Sequence, residues 1–183
     1  MLVVISACSN SIRYRQPLPP GIPDEKSFPK EFRGVYYYDE ENIVANVTEK
    51  GMEYTYEHDS LRGNLSDSLI LRKYKDFYFL NVRERSKESK EKLWKIYLLR
   101  YSSDKKRVSF RYIPENVKDD SIAWRTLSMI VKADSLHGEL VLDPSLRQLD
   151  QLIARTFFND IHFWKTDDDV FLLSNQKVIS TKN

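Results

Sequence analysis

Between Arg33 and Ile113 the sequence alternates strand-length stretches with connections too short for the chain to cross over a sheet. Arg33 to Asp39 (RGVYYYD) is rich in aromatic residues that favour extended backbone, and Glu40, Glu41 and Asn42 turn it into Ile43 to Thr48. Lys50-Gly51 turns again into Met52 to His58, where Met52, Tyr54, Tyr56 and His58 share one face and Glu53, Thr55 and Glu57 the other. That period of two marks a strand with one face buried and one wet. A polar stretch (DSLRGNLSDS) reads as a loop. Leu69 to Tyr74 and Phe77 to Arg83 then meet at Lys75-Asp76, and Leu93 to Tyr101 and Arg107 to Ile113 meet through SSDKK. A parallel partner needs a crossover of about a dozen residues, so links this short join antiparallel neighbours. The first half is therefore expected to be an antiparallel meander.

The second half is less regular. Pro114 to Leu127 is ambiguous and fits a short helical turn followed by a strand start. Ser128 to Ala133 and Glu139 to Leu142 read as a hairpin turning near His137-Gly138. Asp143-Pro144 then opens a helix, with Asp capping the first amides and Pro at the first helical position. Leu146, Leu149, Ile153 and Phe157 follow at spacings that make one apolar stripe over 144–157, and a last strand covers Ile161 to Lys165. The stretch Leu93 to Tyr101 carries large residues on both faces: Trp94, Ile96 and Leu98 on one, Tyr97, Leu99 and Tyr101 on the other. A strand apolar on both faces is covered on both sides, so the helix is expected outside it while the other face lines an interior.

The N-terminus carries an address. The single cysteine is Cys8, preceded by Ile5-Ser6-Ala7. The four residues resemble the lipobox of bacterial lipoproteins, in which lipid is attached to the thiol and the chain is cut before it. By that resemblance residues 1–8 are the remnant of a signal peptide whose basic region and main apolar core are encoded upstream, and lipid on Cys8 is the membrane attachment. Pro17, Pro19, Pro20, Pro23 and Pro29 follow, a density that favours polyproline-like backbone, so residues 9–30 are expected to be a semi-stiff tether. At about 3.1 Å per residue such a tether reaches roughly 60 Å. Residues 31–175 then form one β-rich domain and 176–183 a flexible tail. No stretch approaches the roughly 18 apolar residues of a membrane-spanning helix. Ser9 replaces the Asp typical of inner-membrane retention in enteric bacteria, and Ser9-Asn10-Ser11-Ile12 lacks the acidic cluster of surface-exported Bacteroidota lipoproteins. That analogy implies an outer-membrane lipoprotein facing the periplasm.

From residue 30 to 165 the order of elements resembles the lipocalin-like barrels found among bacterial lipoproteins, those of Bacteroidota in particular. Phe32-Arg33-Gly34-Val35-Tyr36 stands where a lipocalin carries Gly-x-Trp, with Tyr36 in place of the tryptophan. The resemblance implies a mainly β fold, an antiparallel meander closing into a small lipocalin-like barrel or a strongly curved sheet, with one C-terminal α-helix packed outside. A sandwich is the alternative.

The chemistry-bearing residues are scattered. His58, His137 and His162 lack His-x-His or His-Glu-x-x-His spacing, and Asp160-Ile161-His162 supplies two potential ligands where a metal site needs more. Asp167-Asp168-Asp169 lacks the alternation of a calcium loop. No Gly-x-Ser-x-Gly elbow or phosphate loop occurs, and lipidation would leave no free thiol. An enzyme, a metal and a cofactor are therefore not expected. The formal charge of +2 is unevenly placed: residues 83–107 hold ten Lys/Arg against four Asp/Glu (+6), and residues 114–169 six against eleven (−5). RERSKESKEK interleaves both signs, unlike a nucleic-acid-binding face, and reads as a solvated loop. Two roles remain. One is a non-enzymatic accessory of an envelope complex, docked on a protein partner with its separated charge orienting the encounter. The other is a lipocalin-like carrier of a small apolar ligand, held against Met52, Tyr54, Tyr56, His58 and Tyr97. A cavity would favour the carrier, an exposed apolar patch the accessory.

Overall fold

The fold is known from a computed structural model that describes residues 12–38, 43–56, 59–85, 91–102, 107–113, 117, 119–136, 139–155 and 159–165. Alternating sequence becomes strand at β2 (Gly34–Tyr38), β3 (Ile43–Val47), β4 (Gly51–Tyr56), β6 (Leu69–Tyr74), β7 (Phe77–Arg85), β8 (Lys92–Tyr101) and β9 (Arg107–Tyr112). Each short link turns the chain back on itself. Lys75 adopts a positive φ of 54° between β6 and β7, the backbone a two-residue hairpin link needs to follow the twist of its strands. β1 (Arg13–Tyr14) and β5 (Asp59–Asn64) have no counterpart in the sequence expectations, whereas helix α1 (Ser121–Ile130) replaces both the helical turn and strand start expected over 114–127 and the strand expected from Ser128, so the hairpin that ends at Leu142 has its first strand at Ala133–Leu136 (β10). Strand β11 (Glu139–Leu142), helix α2 (Leu146–Ala154) and strand β12 (Asn159–Lys165) follow the expected order.

The ladders run β5-β4-β3-β2-β12-β9-β8-β7-β6, every neighbouring pair antiparallel, with β12 inserted between β9 and β2. The meander is thus joined to its own beginning by the last strand. β8 also branches: beyond the residues paired with β9, Trp94 pairs with Tyr14 of β1, and β1 continues through parallel β11 to β10. Among the described residues no ladder joins β5 to β6. The chain is mainly β, and its sheet is strongly curved rather than seen to close.

The curvature makes an inside and an outside. Inside, Phe32, Tyr36, Ala45, Val47, Met52, Leu71, Leu80, Leu99 and Val108 form one buried cluster drawn from β2, β3, β4, β6, β7, β8 and β9. Outside, Trp94, Ile96 and Leu98 pack with Phe79, Leu127 of α1, and Leu149 and Leu152 of α2. The two-faced reading of β8 therefore holds, and α2 lies on the side expected of it. A second helix shares that duty. α1 is capped by Asp120, whose carboxylate accepts from the Ile122 and Ala123 amides at 2.9 and 3.0 Å. α2 starts at Leu146 rather than 144, because Ser145 and Gln148 form a reciprocal capping box that fixes the first turn.

The expected tether is corrected. From Ile12 onward the proline-rich segment belongs to the domain: Ile12, Tyr14, Leu18 and Phe28 are buried. The prolines do keep the backbone out of helix, but extended backbone leaves amides and carbonyls free for other partners. Arg72 Nη1 donates to the carbonyls of Pro17 (2.7 Å) and Pro19 (2.8 Å), and Asn81 holds both backbone groups of Leu18. Further on, the Glu25 amide donates to Leu71 O of β6, and the Phe28 amide to Glu49 O in the β3–β4 turn. The segment thus ties β6 to the turn before β4 across the side where the ladders stop.

Candidate functional site

The interior of the curved sheet is where a lipocalin-like protein would keep its ligand, and its contents decide what can enter. One end is plugged. A short 3-10 turn at Lys30–Phe32 drives the Phe32 ring between Tyr101 (centroids 4.2 Å apart) and Tyr78 (5.0 Å). The Tyr36 hydroxyl donates to Phe32 O at 2.8 Å and lies 3.0 Å from the Tyr101 hydroxyl. Burial raises both phenols above their ordinary value, so both hold their protons, and the Tyr36 hydroxyl ties the Phe32 turn to β2. The void left between Phe32, Tyr36, Met52, Leu99 and Val108 is about 10 Å³, at most room for one water centre. Its lining is apolar, so even that water would find no hydrogen-bond partners.

The other end of the interior is more polar. Tyr97 of β8 is half-buried and meets Phe110 and Tyr112 of β9 edge-on, with centroids 6.4 and 6.2 Å apart. Lys95, two residues earlier on the same face, is only 6% exposed and sets its ammonium 5.3 Å from the Tyr97 ring centre. An ammonium over an aromatic face recovers part of the hydration that burial removes. The sequence reading passed over Lys95 because a lysine on an apolar strand reads as solvent-facing; its i+2 spacing to Tyr97 was the available signal.

The candidate pocket residues are brought together in part. Met52 and Tyr97 belong to the same inner cluster, Met52 beside the void and Tyr97 against the half-buried rings. Tyr54 and Tyr56 hold β4 register positions opposite Leu61 and Asp59, with side chains outside the described set, and His58 lies outside the described residues. So do Cys8, His137 and Asp167 to Asp169. Asp160 and His162 pair in register with Arg111 and Ser109. Among the described residues no group of three His, Cys, Asp or Glu could hold a metal ion, and no helix is long and apolar enough to cross a membrane.

The acidic stretch is partly engaged within the molecule. Asp134 takes Arg15 at 2.8 Å, Glu139 lies 3.7 Å from Arg13, and Asp150 takes Lys75 at 2.6 Å. These pairs tie the N-terminal segment to β10 and β11, and the β6–β7 turn to α2. On the surface, the large exposed apolar side chains among the described residues are Tyr37, Ile122 and Met129. Comparison with protein-family models, with curated proteins and with solved structures found no match to this chain.

Proposed function

We propose that the chain is a membrane-anchored envelope lipoprotein, attached through lipid on Cys8 and facing the periplasm from the outer membrane, that works as a non-enzymatic interaction module of an envelope complex. Its curved sheet is read as a lipocalin-like barrel drawn in between β5 and β6. The filled end of the interior beneath Phe32 supports this role over that of a carrier. Pockets for small molecules enclose roughly 300 Å³ or more, whereas the space beside Met52 is about 10 Å³. The half-buried group of Tyr97, Phe110 and Tyr112 beside Lys95 favours a second reading, a small apolar ligand held at the opposite end of the interior.

One measurement tests the anchor and a second separates the two readings. With the complete reading frame expressed in cells, Cys8→Ser should move the protein from the membrane to the soluble fraction. Unchanged fractionation would remove the anchor. After mild detergent extraction, an interaction module elutes in an assembly larger than its 21.7 kDa chain. A stoichiometric small molecule in an organic extract of the monomer would instead establish the carrier.

A further inference from the structure

We propose that the outer face of α1, built on Ile122, Arg125 and Met129, lies against the lipid surface to which Cys8 anchors the chain; the inference rests on the anchor reading above. It begins with a length. Ile12 is 1% exposed, and its amide donates to Ile113 O at 3.2 Å, so the domain is pinned from that residue on. Only Ser9, Asn10 and Ser11 separate it from Cys8. Four residue steps span at most about 14 Å when fully extended. A lipid on Cys8 therefore holds the domain directly on the bilayer, where a 22-residue tether would have let it stand away.

The side held there is the side of Ile12. The chain runs from Ile113, which holds the Ile12 amide, through Val117 to the cap at Asp120, and α1 starts eight residues after Ile113. Ile12, Ile113, Val117 and Leu127 share one buried cluster, so α1 packs on the same core that receives the anchored end of the chain. Its inward face is spent on Leu127, which is wholly buried. Its outward face sets two large apolar side chains among exposed Ser121, Arg125 and Ser128, where a solvated helix face would be polar throughout. Ile122 and Met129, seven residues and nearly two turns apart, are 77% and 71% exposed, and Arg125 is exposed between them. That combination suits an interfacial helix: apolar side chains enter the headgroup boundary while an arginine keeps its charge in the polar layer. Two side chains would bind a free protein weakly. On a tether of three residues the docking is intramolecular, and its effective concentration is high.

The test supplies the anchor chemically, so it does not depend on what the cell does to Cys8. The full chain, with Cys8 as its only thiol, is coupled to a maleimide-headgroup lipid in phosphatidylcholine vesicles. An environment-sensitive fluorescent amino acid is placed at position 129, and in control proteins at positions 62 and 147, both exposed arginines on other elements. Doxyl-labelled lipid should quench the reporter at 129 severalfold more than at 62 or 147, with a blue shift on coupling. Equal quenching at all three positions overturns the proposal. Shielding at 129 already present before coupling also overturns it: if independent of protein concentration, another segment of the chain covers the helix, and if concentration-dependent, a second copy does. Failure of the anchor reading shows separately, as membrane fractionation of the cellular protein that ignores Cys8→Ser.

Discussion

Asn81 is wholly buried in β7, and its side chain meets four backbone groups. Its Oδ1 accepts from the Leu18 amide at 2.7 Å, and its Nδ2 lies within hydrogen-bonding reach of the Leu18, Ile70 and Phe79 carbonyls at 2.9, 3.2 and 3.1 Å. It thus stands in for a strand, giving Leu18 both ladder partners that a proline-flanked segment could not find. Asn81→Ala orphans two buried backbone groups and should cost about 3 kcal/mol in urea unfolding. In the sequence Asn81 is one polar residue inside FYFLNV, and nothing nearby names its partner 63 residues away. A pH dependence also belongs at this scale. Burial raises the Tyr14 phenol above its ordinary value, and Tyr36 and Tyr101 follow the same direction. An acid held neutral by the fold contributes its full stability below its unfolded value, about pH 10 for tyrosine, and loses it as pH rises past that point. Stability should therefore fall above about pH 10. Tyr14→Phe, which keeps the ring and removes the proton, should make that fall shallower in alkaline denaturation.

The helices show how far periodicity reaches. For α2 the stripe of Leu146, Leu149 and Ile153 located the buried side within one position: Leu149 and Leu152 are fully buried, while Ile153 is half-buried at the edge. Leu149→Ala or Leu152→Ala should each cost about 2 to 5 kcal/mol. Gln151→Ala, on the exposed side, should stay within about 0.5 kcal/mol. Thermal unfolding of the three variants checks this, and a harmless Leu149→Ala would mean that α2 is not seated on Trp94, Ile96 and Leu98. α1 was harder to read. Its Ile, Trp and Thr content suits a strand, and its exposed Ile122 and Met129 blur the apolar stripe that marks a buried face. Asp120 as a cap and the spacing of Ala123, Leu127 and Ile130 were the signals present. β5 was missed for the opposite reason, since its polar sequence carries no alternation. It pairs with β4 through its backbone ladder and an ion pair of Arg62 with Glu53 at 3.9 Å, admitted by Gly51, where any side chain would run into Asn64 and the Gly63 carbonyl.

At the scale of the molecule the N-terminal segment is the largest departure from expectation. Ile12, Tyr14 and Leu18 belong to the outer core together with Trp94 of β8 and with Leu127 and Leu149 of the helices, and Arg72 binds the segment through two carbonyls and Asp24 at 2.7 Å. Limited proteolysis should therefore spare the chain between Ile12 and Phe28 until the domain itself unfolds. Removal of residues 1–18 should abolish folding, because three buried side chains at about 2 to 5 kcal/mol each rival the 5–15 kcal/mol that stabilises a typical domain. Early cuts at Gln16 or Gly21, with the remaining domain still folded by circular dichroism, would restore the tether.

What the sequence alone determined was local. Period-two patterning with connections of a few residues forces antiparallel neighbours, and the double-sided β8 requires cover on both faces; both follow from pleat geometry and chain length without a partner being known. The tertiary structure decided everything that depends on residues far apart. Proline content sets backbone conformation but not what an extended segment binds, so packing against Asn81 and Arg72 turned an expected tether into part of the core. An aromatic stripe reads the same whether it lines a cavity or fills one, and here the Phe32 plug under Tyr36 and Tyr101 filled that end. Whether the sheet closed between β5 and β6 rested on the meeting of two edges that neither strand encodes by itself.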